Sequence, residues 1–188
     1  MRKNILPRKF YSRNTLKVAR ELLGCFLIRE YRGKIWRGMI TETEAYHGED
    51  DLASHASCGR TARTEIMYGE SGCAYVYMIY GMYHCLNVVT EKKDFPAAVL
   101  IRSAKIFRRP TPKKTKISDV YLDGPGKLCK FLKIDRKLNK WDLTKGEKLW
   151  IERPAQNCAK RNIVAGRRIG VDYAQHCREY LWRFSINL

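Results

Sequence analysis

Residues 14–24, NTLKVARELLG, set Leu16, Ala19 and Leu23 three and four apart, the spacing of one helical face. Asn14 stands where a helix cap belongs and Gly24 where a helix ends. From residue 25 the period shortens to two. CFLIREY and IWRGMITETEAY, joined through Arg32-Gly33-Lys34, predict a hairpin. Alternation returns in AYVYMIY and, past Gly81-Met82, in YHCLNVVT, a second hairpin, then in AAVLIRSA behind the loop EKKDFP. DGPGKLCKFLKI predicts a helix with Pro125 in its first turn, while KLWIERP and LWRFSI read as late strands. Residues 47–72 are polar and irregular, with Asp51 placed to cap a short helical turn at LASHA. KIFRRPTPKKTK is a basic, proline-interrupted loop, either solvated or in contact with phosphate. No repeat or linker divides the chain, so the pattern predicts one α+β domain over residues 1–188 with mostly antiparallel strands.

Composition narrows the function classes. A hydrophobic content of 45% in 188 residues supports a real core. No stretch approaches the ~20 apolar residues of a membrane-spanning helix. The start, MRKNILPRKF, lacks the apolar core of a secretory signal, which predicts a cytoplasmic protein of bacteria or a nuclear one of eukaryotes. Seven cysteines, an odd number without a CxxC pair, predict reduced thiols. His47, His55, Cys58, His84 and Cys85 could ligate zinc, but none falls into a zinc-ribbon or HExxH spacing. Thirty-seven Lys and Arg against nineteen Asp and Glu give a net charge of +18, and a polyanionic partner is the natural reading.

Candidate chemistry gathers in ITETEAYHGEDDLASH. In a strand Glu42, Glu44 and Tyr46 share one face, and Thr41 and Thr43 the other. A carboxylate beside a phenol at a strand end suits a general base, and simple pairing with nearby arginines is the competing role. Glu49, Asp50 and Asp51 with His55 form an alternative Mg²⁺ set of the nuclease kind, although contiguous acids on a loop point in different directions.

Tyr75, Tyr77, Tyr80 and Tyr83 crowd around Gly81 in YVYMIYGMYHCLNVV. Alternation puts Tyr75 and Tyr77 on one face and Tyr80 on the other, beside the turn. An exposed tyrosine at a hairpin tip is suited to stacking, worth about 1–3 kcal/mol per base, or to wedging between base steps. Tyrosines behind the tip could enclose an extruded base. Tyr75 and Tyr83 are expected to fill core space.

These motifs carry a resemblance. ARELLGCFLIR, ITETEAY with HGEDDLASH, MYGESGCAYVYMIYGMYHCLNVV, AAVLIRSA, DGPGKLCKFLKI, RIGVDYA and the closing WRF resemble, in order, the alkyladenine-type 3-methyladenine DNA glycosylases. The resemblance implies a single domain with a curved antiparallel sheet, surrounding helices and a protruding hairpin. It also implies no metal or organic cofactor. Its activity would be flipping an alkylated or deaminated purine out of damaged double-stranded DNA and hydrolysing the N-glycosidic bond, as a monomer and away from membranes. Glu44 matches the glutamate that activates water, and Arg102 a residue beside that water and the backbone. Tyr46 and His55 match one side of the base pocket and Tyr77 the other, Asn87 the side chain that crowds the purine 2-position, Tyr80 the intercalating side chain and Arg60 a phosphate contact. No lysine lies within ETEAY or YVYMIYGMY, which predicts a monofunctional enzyme leaving an abasic site. The chain departs from the family pattern at Ala62 and Thr64, usually Pro and Asn, and at Gln175 and Cys177, commonly Gly and Trp. A non-catalytic nucleic-acid binder on the same fold is the alternative.

Overall fold

A computed structural model describes residues 4–107, 119–154 and 162–187. Most of the basic loop 105–116 lies outside the described residues. The first hairpin consists of β1 (Phe26–Tyr31) and β2 (Lys34–His47). The second pairs β3 (Ala74–Ile79) with β4 (Tyr83–Val89), and β5 (Ala97–Ile106) follows. Short strands β6 (Val120–Asp123), β7 (Leu149–Glu152), β8 (Ile163–Gly166) and β9 (Arg183–Ile186) complete one nine-stranded sheet, antiparallel at every described pairing. The helices are α1 (Arg8–Tyr11), α2 (Thr15–Leu22) and α3 (Pro125–Leu132). The class is α+β, as the pattern predicted. Strands β6 and β8 and helix α1 were not predicted; each spans four residues, too few to display a period.

The long strands β2 and β5 form the spine of the sheet, and each changes its outer neighbour part-way along. Strand β5 pairs with β4 through Ala98–Leu100 and with β6 through Ser103–Ile106. Strand β2 pairs with β1 up to Met39 and with β9 at Glu42–Glu44. Register shifts on both sides of Glu42 mark a bulge at that change. A bulge bends its strand and sharpens the twist, so the sheet curls around the end of β2 that carries Glu44.

Helices α2 and α3 cover the concave core, with Val18, Ala19, Leu22, Leu128 and Leu132 packed among Leu27, Ile40, Val88, Val99 and Ile101. Asn14 caps α2 by accepting the Lys17 N–H at 3.3 Å. The buried residues of α2 are Thr15, Val18, Ala19 and Leu22; of the predicted face, Ala19 and the C-cap Leu23 are buried in the core and Leu16 packs at its edge. Thr15 faces inward for a polar reason: its hydroxyl meets Thr90 Oγ1 and Glu91 Oε1, both at 3.0 Å. Thr43, on the face of β2 opposite Glu44, donates to the Ala19 carbonyl at 2.9 Å and ties the strand to this helix.

Both hairpins turn through residues with positive φ, Arg32 and Gly33 (49° and 70°) and Tyr80 and Gly81 (51° and 68°). That pair of values belongs to type I′ turns, whose twist matches the flanking strands. Tyr75 is buried as expected, but Tyr83 is 41% exposed. Tyr83 sits at the last pair of the hairpin, beyond the core, and lies against Gly126, where an added Cβ would be 3.1–3.2 Å from its atoms. Among the described residues Cys58, Cys73, Cys85, Cys129 and Cys177 are free thiols.

Candidate active site

Glu44 is fully buried at the curled end of β2, and its two oxygens have different partners. Oε1 accepts the backbone N–H of Ile169 at 2.8 Å; Oε2 accepts the Tyr46 hydroxyl at 2.8 Å. Arg102, facing it from β5, brings Nη1 to 3.3 Å of Oε2 and Nε to 3.6 Å of Glu42 Oε1. Arg102 Nε is buried without a hydrogen bond, a donor left over in the site. Glu42 is itself occupied, accepting from Ser103 Oγ at 2.8 Å and Arg183 Nη1 at 2.9 Å. Burial raises the pKa of Glu44, while Arg102, the Ile169 N–H and the Tyr46 hydroxyl oppose the rise. Tyr46 is held as a neutral phenol, its pKa pushed far up by burial and by the adjacent Glu44 charge.

A cavity of about 210 Å³ opens in front of this carboxylate. Tyr46, His55, Tyr77, Tyr80, Asn87 and Arg102 all line it, so the tertiary fold brings together six of the eight residues expected at the site. Glu44 lies one layer behind, screened by its partners Tyr46 and Arg102. Arg60 does not line the cavity: its guanidinium pairs with Glu65 at 2.8 Å and Asp94 at 3.2 Å on an exposed loop.

Two small apolar clusters hold the walls. Ala56, Met67, Tyr68, Tyr75 and Ala98 back one wall, with Tyr77 packed on them. Ala53, Val171, Ala174 and Cys177 back the other, with Tyr46 packed on them. Tyr75 and Tyr77 point the same way, ring centroids 5.1 Å apart, as strand alternation requires. His55 meets Tyr77 edge-on at 4.7 Å. Asn87, buried across from Tyr75, donates its amide to the Tyr75 carbonyl at 3.2 Å.

The protonation state of His55 follows from its neighbours. Arg63 Nη2 lies 3.2 Å from His55 Nε2, and a guanidinium can only donate, so Nε2 accepts. Burial, together with the Arg63 charge, lowers the His55 pKa to about 4. The neutral ring therefore carries its proton on Nδ1 and donates it to the Tyr75 hydroxyl at 2.9 Å.

The acidic loop does not form a metal centre. Asp51 gives both oxygens to Arg168, at 2.6 and 2.7 Å, and also accepts the N–H groups of His47 and Ala53. Glu49 accepts from the Tyr68 hydroxyl, and His55 turns toward the cavity. Among the described residues no group of three or more His, Cys, Asp and Glu is arranged around a metal position. Asp51 caps the turn that opens LASHA, its side chain accepting the Ala53 N–H at 3.2 Å, and Ser54 caps the 3₁₀ helix His55–Cys58 that follows by accepting the Ala56 N–H. Among the described residues no helix is long and apolar enough to cross a membrane.

The family profile described as Methylpurine-DNA glycosylase (MPG) matches residues 9–188. The chain belongs to the methylpurine-DNA glycosylase family. It is a DNA glycosylase of base-excision repair, a hydrolase of the N-glycosidic bond. Relatives named "Putative 3-methyladenine DNA glycosylase" agree. One from Methanocella arvoryzae is 48% identical, covering 96% of this chain and 91% of its own. One from Sodalis glossinidius is 46% identical over 96% of both chains, and one from Clostridium perfringens strain SM101 is 43% identical over 96% and 95%.

Against the glycosylase family pattern two departures acquire a structural meaning. Gln175 stands at φ 45°, a left-handed conformation in which glycine, the common residue there, is free of strain. Cys177 is fully buried in the small cluster behind Tyr46. Sequence reasoning passed over Arg63, Ile169 and the Asp51–Arg168 pair. Ile169 acts through its backbone, and Arg168 lies 117 positions from Asp51, so no local spacing signals either.

Proposed function

We propose that this glycosylase flips alkylated or deaminated purines of the 3-methyladenine class out of duplex DNA and hydrolyses their N-glycosidic bond with Glu44 as the water-activating base. The observation that carries the reading is the buried Glu44 carboxylate, held by Ile169, Tyr46 and Arg102 directly behind an aromatic cavity. Breaking the C1′–N bond sends its electron pair to the base and builds oxocarbenium-like charge on the sugar. Glu44 stabilises that charge and takes a proton from the water whose oxygen bonds to C1′. A base already cationic through alkylation leaves neutral, without an acid to protonate it. The products are free base and an abasic site.

Each further residue has a role consistent with its surroundings. Tyr77 and His55, which meet edge-on, flank an extruded base on one side and Tyr46 on the other, in place of the Tyr46–His55 side that the resemblance implies. Neutral His55 and neutral Tyr46 suit a cationic purine better than charged groups of positive sign. Asn87 crowds one edge of the base, and Arg102 lies beside the water and the sugar–phosphate backbone. Tyr80, 85% exposed at the hairpin tip, fills the gap the flipped nucleotide leaves. Arg60 contacts a phosphate after exchanging Glu65 and Asp94 for it. The enzyme acts as a monomer, without a cofactor, in the compartment that holds the genome.

Base release from duplexes carrying one defined lesion each tests this reading. Wild-type protein should generate abasic sites, and Glu44→Gln should lose about 10²- to 10⁴-fold in rate with duplex binding retained. A Glu44→Gln protein that excises at the wild-type rate removes Glu44 from the mechanism.

A further inference from the structure

Arg168 and Asp51 contribute nothing directly to the chemistry above, yet they lie immediately beneath it with side chains 0% and 1% exposed. We propose that this pair positions the catalytic carboxylate: it locks the loop carrying the Ile169 N–H against the end of β2 and so sets the orientation of Glu44 and Tyr46. The role rests on the reading of Glu44 as the base.

Arg168 uses both terminal nitrogens twice. Nη1 donates to Asp51 Oδ2 at 2.6 Å and to the Ala45 carbonyl at 2.9 Å. Nη2 donates to Asp51 Oδ1 at 2.7 Å and to the Cys177 carbonyl at 3.1 Å. Ala45 is the residue between Glu44 and Tyr46, so one planar fork holds the peptide linking the two site side chains. Its Cζ also lies 4.9 Å from the centre of the Tyr46 ring. The next residue along, Ile169, delivers its N–H to Glu44 Oε1 at 2.8 Å. A shift of the fork therefore moves the strand, the phenol and the amide donor together.

Stability alone is a poor reason for such an arrangement. A buried ion pair recovers little more than its desolvation cost, and a well-packed apolar pair is often as stable. What the guanidinium adds is direction: five N–H donors in a rigid plane fix several acceptors at once, which a lysine ammonium cannot reproduce. Asp51 has the complementary job, since its two oxygens set the plane of the fork and its bonds to His47 and Ala53 anchor it to the end of β2.

The test uses Arg168→Lys, which keeps the charge and loses the fork, and Asp51→Asn, which keeps the shape and loses the charge. Single-turnover base release, affinity for undamaged duplex, unfolding midpoint and the pH–rate profile are measured for each. The single-turnover rate should fall about 10- to 100-fold, the usual loss when a partner holding an active-site group is removed, with duplex affinity unchanged. In Arg168→Lys, which keeps the positive charge facing Glu44, the acid limb of the pH profile should also move upward, because the Ile169 N–H favours ionised Glu44. The other groups facing that carboxylate are Arg168 itself, Arg102 from β5, Glu42 and Tyr46 from β2, Cys85 from β4 and, through Glu42, Arg183 from β9; Arg168→Lys keeps every one of these charges. A lowered unfolding midpoint with wild-type rate and pH profile overturns the positioning role and leaves a mere anchor. If neither variant folds, amide exchange in the wild type decides: Ile169 N–H strongly protected supports the lock, and rapid exchange overturns it. Wild-type protein that releases no base overturns the glycosylase reading itself, and the positioning role with it.

Discussion

The backbone N–H of Ile169 donates to Glu44 Oε1 at 2.8 Å, joining positions 125 residues apart. Both carboxylate oxygens are thereby committed, Oε2 to Tyr46, and the direction in which Glu44 presents its remaining lone pairs is set before any substrate arrives. Such preorganisation lets a buried carboxylate act as a base without reorganising during the reaction.

The charges around Glu44 predict opposite shifts in two variants. Arg102 lowers the Glu44 pKa and Glu42 raises it. A general base works ionised, so activity rises as pH passes upward through its pKa. Arg102→Gln should move the acid limb of the pH–rate profile to higher pH, and Glu42→Gln to lower pH. Single-turnover excision of 7-methylguanine, whose leaving base is already cationic, provides the measurement. Equal shifts of one sign would contradict the assignment of the limb to Glu44.

Tyr80 carries strain that a smaller residue would release. Its φ of 51° lies in the left-handed region, which costs a bulky L-residue about 1–2 kcal/mol. Tyr80→Asn would create Asn-Gly, the pairing type I′ turns favour. The variant should gain about 1 kcal/mol of stability by denaturant unfolding. It should nevertheless lose excision of paired lesions, because the exposed phenol proposed to fill the vacated stack is gone. Stabilisation with undiminished excision would separate Tyr80 from base flipping.

His55 makes stability depend on pH. Its pKa falls from an ordinary 6.5 to about 4 in the fold, so between those values the unfolded chain binds a proton that the native protein refuses. The contribution is present in full above pH 6.5 and is lost as pH falls through about 4. The slope approaches about 1.4 kcal/mol per pH unit within that window. His55→Asn should flatten that part of the curve relative to wild type, as read from urea unfolding across the range.

The net charge of +18 predicts a steep fall of duplex affinity with salt. Each phosphate contact contributes about −0.9 to the slope of log affinity against log salt. Arg60→Ala should reduce the slope by about that amount if Arg60 reaches a phosphate. Its partners Glu65 and Asp94 make the competing outcome concrete: an unchanged slope would mean the arginine keeps its carboxylates in the complex.

Much of the architecture was readable in the chain because periodicity is local. Period-two alternation located β1 to β5, and Asn14 marked the start of α2, since both signals depend only on near neighbours. The same alternation placed Glu44 beside Tyr46 and Tyr75 beside Tyr77, pairs that the fold preserves at 2.8 Å and with rings 5.1 Å apart. Spacing marks Ala19 and Leu23 for the core but not Thr15, which is polar by type and held inward by Thr90 and Glu91, partners 75 and 76 residues away. Tyr83 was assigned to the core because apolar context does not tell a tip from an interior; the empty space above Gly126 accommodates it instead.

What the sequence determined by itself was the strands and the side chains that share a face on them, the proposed base Glu44 with Tyr46 among them, because strand geometry dictates that alternation. What only the tertiary structure decided was their state and support. The neutral Nδ1–H form of His55 depends on Arg63, the hold on Glu44 on a backbone amide, and the seat of both site side chains on a buried Asp51–Arg168 fork. Burial and hydrogen bonding between distant segments set protonation and orientation, and neither leaves a trace in local spacing.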